Sequence, residues 1–480
     1  MLLTALLIML PLAGALITWL IRDNHKRPWA LPATACVNLL LVALQLSAPS
    51  HGPSTGDLIH LDAIGKVFLL EFAILFAACS FYAVNYLQYR KERNNRILCT
   101  GMQVCLAAMS LATVASHLGL LWLAIETTTL AMAPLIYFNR NARSIEATWK
   151  YMLICSVGIA LALLGIFFIA YATIAAGLEP SLELERLQRY APGLPRIWLN
   201  AAFVFMLVGY GAKMGLAPMH TWKPDAYGEA PGLVGTMLAG GLANCGFLGL
   251  IRIYQVCSAA GNDAFFRATL VGIGLFSTAV AATFLVRQTD FKRMLAYSSV
   301  EHMGLFTVAL GLGGKAFYGA MLHVLGNGLG KGVLFLAAGN IHRAFASKSR
   351  DYARGALKRA PWSAALFLAG FFALTGSPPF APFFSEFAII ATSFSQGRIL
   401  CGLLLVLLLM TAFLGMAMTV IPVVFGDPPS DRQRTRYTDS FLLVAPPMAL
   451  LLVIGIIGIW MPPPLYQLLS DAAALLERTP

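Results

Sequence analysis

The sequence predicts an all-α integral membrane protein of about fourteen transmembrane helices, and three observations carry that prediction. Only 12% of its 480 residues are charged, against 58% hydrophobic; soluble domains carry about 25% charged residues. Apolar stretches of about 18 residues or more, each long enough to cross a bilayer as a helix, recur along the whole length. Lysine and arginine gather in alternate connections. Starting after the first stretch, every second connection, counting Lys223 in one of them, contributes to a total of 22 of the 34. The opposite connections and the tail hold 8, and four lie inside stretches. This positive-inside pattern places both termini outside the cytoplasm, as in a bacterial or archaeal inner membrane.

In chain order the spans are expected at about 2–21, 29–47, 63–87, 97–115, 118–138, 151–176, 197–217, 232–251, 268–286, 294–312, 316–339, 361–395, 399–425 and 440–461. The first does not read as a cleaved signal: it has no basic start, and Arg22, Lys26 and Arg27 follow it. Span 7 reads as broken, because Pro218 follows Lys213 in "KMGLAP"; so does span 12, with Gly376, Pro378, Pro379 and Pro382 before Glu386. Proline removes a helix hydrogen bond, and in transporters such discontinuous helices mark the ion path. Spans 4–8 and 9–13 agree in number and in the place of the broken member. An offset of five helices inverts orientation, so they form two inverted five-helix repeats. The organisation is then 1–96 (helices 1–3), 97–257 (first repeat), 264–425 (second repeat) and 426–480 (an inner loop, helix 14 and the tail). Lys150 corresponds to Lys331 in this repeat, and Lys213 to Glu386.

The longest polar connections, 179–196 outside and 342–359 inside, are too short for a nucleotide-binding or redox domain. The net charge of +12 follows topology, which argues against nucleic acid as a partner. The six cations of 342–359 serve topology alone or dock an acidic peripheral subunit. Eight scattered cysteines without a CxxC pair imply no iron–sulfur or zinc site. "GNGLGKG" at 326–332 lacks the P-loop spacing and the Ser or Thr after its lysine; small residues for close helix packing explain it better.

Glu71, Glu126, Glu301, Glu386, Lys66, Lys150, Lys213 and Lys331 remain inside spans. A charge near the bilayer centre costs about 2.5–3.5 kcal/mol, and such groups line bundle interiors or proton relays. Four acids against four bases suggests mutual pairing. Lys66 lies near a span end and snorkels; Glu71 has no evident role beyond a poorly placed pairing with it. Glu126 is mid-span without a local partner. Lys150 either snorkels or faces inward. His323 and Lys331 lie roughly on one helix face. Glu301 and His302 either conduct or join Asp290, Lys292 and Arg293 in an inner-surface network. His220 and His323 are relay groups or satisfied structural histidines. Lys213 beside a helix break is the candidate carrier, loaded and unloaded by a moving partner charge.

Four stretches then carry a resemblance: "WLAIETTTLA" with Glu126, "GAKMGLAPMHTWKPDAYGEAP" with Lys213 and His220, "QTDFKRMLAYSSVEHMG" from Gln288, and "PPFAPFFSEF" with Glu386. They resemble the proton-conducting antiporter-like subunits of complex I, multisubunit sodium/proton antiporters and group 4 [NiFe] hydrogenases. "SSVEHMG" with "ANCG" resembles the hydrogenase-4 (formate hydrogenlyase-type) F subunit branch. The resemblance implies two inverted five-helix bundles around a central polar axis. Glu126 then matches the charge-switching glutamate, Lys213 the central lysine, Lys331 the second-half lysine and Glu386 the exit carboxylate. Lys150 sits where the hydrogenase-like branch has "KY". Two departures stand out. Span 11 reads His323, Asn327, Lys331 where relatives often have HxxxHxxxK. In span 8 the stretch "PGLVGTMLAGGLANCGFLG" offers no titratable group but Cys245, so either Asn244 and water bridge there or the path bypasses it.

The expected function is proton translocation in a multisubunit redox complex, with other membrane subunits and peripheral redox subunits as partners and no cofactor in this chain. The alternative is a redox-independent cation/proton antiporter or inorganic-carbon uptake complex. A non-conducting scaffold would not need Glu126, Lys213, Lys331 and Glu386 in the bilayer.

Overall fold

A computed structural model describes residues 2–48, 58–90, 92–261, 263–427, 435 and 437–477. Its α-helices are α1 (Leu2–Leu20), α2 (Ala30–Ser47), α3 (Ala63–Gln88), α4 (Arg96–Val114), α5 (Leu118–Ile136), α6 (Ala142–Ala175), α7 (Leu184–Tyr190), α8 (Arg196–Met214), α9 (Trp222–Glu229), α10 (Gly232–Thr236), α11 (Ala243–Ala259), α12 (Ala264–Leu285), α13 (Phe291–Leu312), α14 (Lys315–Phe345), α15 (Ala356–Arg359), α16 (Pro361–Leu374), α17 (Ala381–Ser395), α18 (Ile399–Phe425), α19 (Phe441–Ile459) and α20 (Pro463–Glu477). Twelve helical stretches among the described residues are long and apolar enough to cross a membrane. α13 and the interrupted pair α16–α17 complete fourteen crossings.

The two repeats pack alike. α4 lies on α5 as α12 lies on α13; α6 packs on α8 as α14 packs on α16 and α17; α8 meets α11 as α17 meets α18. Small residues permit the closest approach. A Cβ on Gly209 of α8 would fall on the backbone of Gly158 and Ala162 in α6. The apolar window of α14 and the stretch Gly232–Ala259 are wholly buried, whereas α1, α2, α18 and α19 bury only a third of their apolar window and keep their remaining faces outward. In a bilayer those outward faces meet lipid or neighbouring subunits.

Both breaks are local. α8 ends in a Schellman turn: Gly215, at φ 76°, donates to Ala212 O, and Leu216 N–H donates to Gly211 O at 2.8 Å. The second break has Gly376 at φ 66° after α16. Each contains one cis X–Pro bond, Ala217–Pro218 and Pro378–Pro379. The eighth span carries a π-helical turn, Met237–Leu242, between α10 and α11.

α6 has 34 residues, starting at a capping box of Asn141 and Ser144. At about 1.5 Å per residue it exceeds the roughly 30 Å hydrocarbon thickness. The surplus is its charged start, so Lys150 stands at the rim instead of opening a buried span. The tail holds a further helix, α20, packed against α3 and α14.

Four expectations are corrected. Lys223 is not a loop cation: it lies in α9, fully buried. Glu71 does not pair with Lys66; it accepts a hydrogen bond from Asn244 Nδ2 at 2.7 Å. The four acids inside spans are not neutralised by lysines, since none of Glu71, Glu126, Glu301 and Glu386 has an ion-pair partner within 4.0 Å among the described residues. Lys348, in the inner loop, is turned inward onto Glu229 at 2.7 Å and Asp290 at 3.4 Å. The inner-loop cations Lys91, Arg432, Arg434 and Arg436 lie outside the described residues.

Candidate functional site: a buried polar axis

The first half of the axis spans α5, α6 and α8. Glu126 and Thr129 lie three residues apart on α5 and so share a face. Thr129 Oγ1 donates to Glu126 Oε2 at 2.8 Å, and Ser156 Oγ of α6 donates to Oε1 at 3.3 Å. Lys213 Nζ donates to the same Thr129 hydroxyl at 2.5 Å. Lys213 is fully buried, in the last turn of α8, with its Nζ 5.8 Å from the centre of the Tyr151 ring. The carbonyl end of a helix favours a cation, which accounts for a lysine there.

The second half spans α13, α14 and α17. Lys331 Nζ, mid-helix in α14, donates to Ser298 Oγ at 2.7 Å and to Leu295 O at 3.3 Å. Two turns before it, His323 Nε2 lies 3.1 Å from His302 Nδ1 of α13, and His323 Nδ1 lies 2.7 Å from Ser385 Oγ of α17. Ligand atoms of His302, His323 and the next residue, Glu386, all fall within 4.8 Å of one another. Buried His302 Nε2, Glu386 Oε1 and both polar atoms of Asn327 have no hydrogen-bond partner among the described residues. Glu301 is buried one turn beyond Ser298 on α13.

Between the halves, Asn244 of α11 holds Glu71 of α3, and Glu71 lies against Gly328 of α14, leaving no room for a Cβ there. Asn244 Oδ1 and Glu71 Oε2 also lack hydrogen-bond partners among the described residues.

A separate charged cluster closes one end. Asp225 pairs with Lys150 at 2.8 Å and Arg293 at 3.0 Å; Lys150 also reaches Glu146 at 2.6 Å. Asp290 caps α13 through the backbone N–H groups of Lys292 and Arg293, and Lys292 Nζ donates to Ala230 O at 2.9 Å. Of the sequence-expected residues, Glu126 and Lys213 are therefore joined. His323, Glu386 and His302 form a second group, with Lys331 and Glu301 beside them. Asp290, Lys292 and Arg293 sit with Lys150 in the end cluster. His220 stands apart, beside the stacked rings of Phe284 and Tyr297, at 6.4 and 6.2 Å between ring centres.

Sequence reasoning missed the hydroxyls that carry the connections: Thr129, Ser156, Ser298, Ser299 and Ser385. Only the i, i+3 spacing of Glu126 and Thr129 signalled one of them. It also took Lys223 for a loop cation and found no well-placed partner for Glu71.

The transmembrane family described as NADH:quinone oxidoreductase/Mrp antiporter matches residues 115–415. The hydrogenase-4 component F homolog of Methylacidiphilum infernorum (isolate V4) is 30% identical over 432 residues, 88% of this chain and 89% of that one. A chain of the membrane-bound sulfane sulfur reductase, an archaeal respiratory membrane complex, superposes with a TM-score of 0.89 at 20% identity, over 99% of this chain and 98% of that chain. A chain of the Mrp complex from Dietzia sp. DQ12-45-1b does so with a TM-score of 0.87 at 18% identity, over 99% and 97%. At those identities the two superpositions establish the fold.

Proposed function

Because the chain belongs to the NADH:quinone oxidoreductase/Mrp antiporter transmembrane family, we propose that it is a proton-translocating membrane subunit of a multisubunit redox complex of the group 4 hydrogenase and complex I type. The observation that carries this reading is the Lys213–Thr129–Glu126 chain, a buried ammonium joined to a partly buried mid-span carboxylate through one hydroxyl. Opposite charges attract more strongly the closer they lie in a water-poor interior. A movement of Glu126 toward or away from Lys213 therefore governs whether Lys213 keeps its proton or passes it on. In the second half, Lys331 is the next carrier, and His323, His302 and Glu386 lead the proton out beside the break before α17. The unpartnered polar atoms of Asn327, Asn244 and Glu386 take bridging water there.

Redox centres reside on peripheral partner subunits, and Arg350, Arg354 and Lys358 of the inner loop face those partners. Both termini are periplasmic. A reporter after Pro480 then reads as periplasmic and one within 347–359 as cytoplasmic; the reverse readout at both sites contradicts that orientation. The same axis would also serve a redox-independent cation/proton antiporter, a reading favoured by the family's description, which covers Mrp antiporters as well as NADH:quinone oxidoreductase.

The test is proton uptake by vesicles holding the whole complex, normalised to turnover. Glu126→Gln abolishes uptake at retained assembly, and Glu126→Asp keeps part of it. Full uptake in Glu126→Gln contradicts the reading.

A further inference from the structure

The lysine on the far side of the seventh-span break, Lys223, is fully buried and has no carboxylate within 4.0 Å among the described residues. An unpaired buried ammonium costs several kcal/mol, so a purely apolar side chain would suit the packing better. Its place in the helix does not offset that cost. Lys223 is the second residue of α9, where the N-terminal end of the helix dipole disfavours a cation. A role in bilayer anchoring fails too, because no part of the side chain reaches the surface.

Its position is informative. The stem of Lys223 lies across Gly215, two residues after Lys213, so closely that a Cβ on Gly215 would overlap Lys223 Cδ and Cε. Its Nζ crosses to the second repeat, donating to Ser299 Oγ at 3.0 Å with Ser299 O at 3.5 Å. The adjacent residue, Ser298, accepts from Lys331. Lysines from the two halves thus converge on consecutive hydroxyls of α13. Meanwhile the eighth span, which separates the halves, offers Asn244 and a buried Cys245 but no lysine or histidine.

We propose that Lys223 is the proton carrier that connects the two halves of the axis, taking over the link that the eighth span does not provide. This rests on the proton-translocating reading above. In the step, one N–H bond breaks at Lys223 Nζ and one forms at Lys331 Nζ. Lys223 is left as the neutral amine and Lys331 becomes the ammonium, with serine hydroxyls and water exchanging protons between them. Each hydroxyl both accepts and donates, which such an exchange requires.

The experiment compares Lys223→Met, Lys223→Arg and Lys213→Met in the whole complex, reconstituted in vesicles, with proton uptake per turnover as the readout. Lys223→Met and Lys223→Arg are both expected to lower uptake at least tenfold in assembled complex, because arginine keeps the charge but does not release its proton. Lys223→His is expected to restore part of it. If Lys223→Arg translocates at the wild-type ratio, the site needs only a fixed charge and the proposal is overturned. Wild-type uptake by Lys223→Met overturns it as well, and if Lys223→Met fails to assemble, the arginine variant decides alone. If Lys213→Met abolishes uptake in either of those cases, the translocation reading stands without Lys223. Undiminished uptake in Lys213→Met removes the reading itself.

Discussion

Glu126 and Lys213 are linked by a single hydroxyl: Thr129 donates to the carboxylate and accepts from the ammonium. The carboxylate lies on α5 and the amine on α8, so any relative motion of those helices changes this one bridge. Thr129→Val keeps the shape and removes the bridge. It is expected to reduce proton uptake per turnover by about tenfold or more while costing about 1 kcal/mol of stability, as for one lost hydrogen bond. Thr129→Ser is expected to retain most of it. The two variants are compared in reconstituted vesicles, and equal uptake by Val and wild type shows that the hydroxyl is a bystander.

Lys150 is a different case. Its side chain is 44% exposed and shared between Asp225 and Glu146. Exposed ion pairs contribute about 0–1 kcal/mol. Lys150→Met is expected to lower uptake severalfold at most, through the end cluster, while Lys213→Met abolishes it. Complete loss in Lys150→Met would place it on the axis itself.

Asp62 stabilises the fold at the opposite side of the molecule from the end cluster's α9–α13 contacts. It caps α3 through Gly65 N–H at 2.8 Å and takes a bidentate grip from Arg252 at 2.6 and 2.8 Å. Burial pushes its carboxyl up, but the Arg252 guanidinium and the Gly65 N–H outweigh that and hold it below its ordinary value. A lowered folded-state value gives stability that is present above the ordinary carboxylate range and lost as pH falls through the folded value. Asp62→Asn is expected to lose about 3 kcal/mol near neutral pH, the cost of leaving Arg252 buried and unpaired. Its difference from wild type, measured by thermal unfolding in detergent, should narrow below about pH 4. A difference independent of pH contradicts the ion-pair explanation.

The span count and both breaks are legible in the sequence because they are local. The length of an apolar run decides whether it crosses, and Pro218 or the Pro378–Pro379 pair interrupts it whatever surrounds it. Glu126, Lys213, Lys331 and Glu386 stand out for a similarly local reason, a charge where the bilayer penalises one. The connections between them are not legible, because they depend on which helix faces meet. Ser298 and Ser299 look like ordinary small residues until α14 and α9 are laid against α13. Lys223 reads as a loop cation because it follows the break, between Trp222 and Pro224; only the folding of α9 back into the bundle shows that it is buried. Glu71 lacks a role in the sequence because its partner, Asn244, is 173 positions away.

Proton uptake per turnover by the Lys213→Met complex, in sealed vesicles and with assembly verified by complex size, tests the central claim most directly. Complete loss of coupled uptake in an intact complex is the expected result, with Lys213→Arg impaired as well because arginine retains its proton. An unchanged ratio of protons to turnovers in Lys213→Met would make Lys213 a structural residue and contradict the buried axis as a proton path.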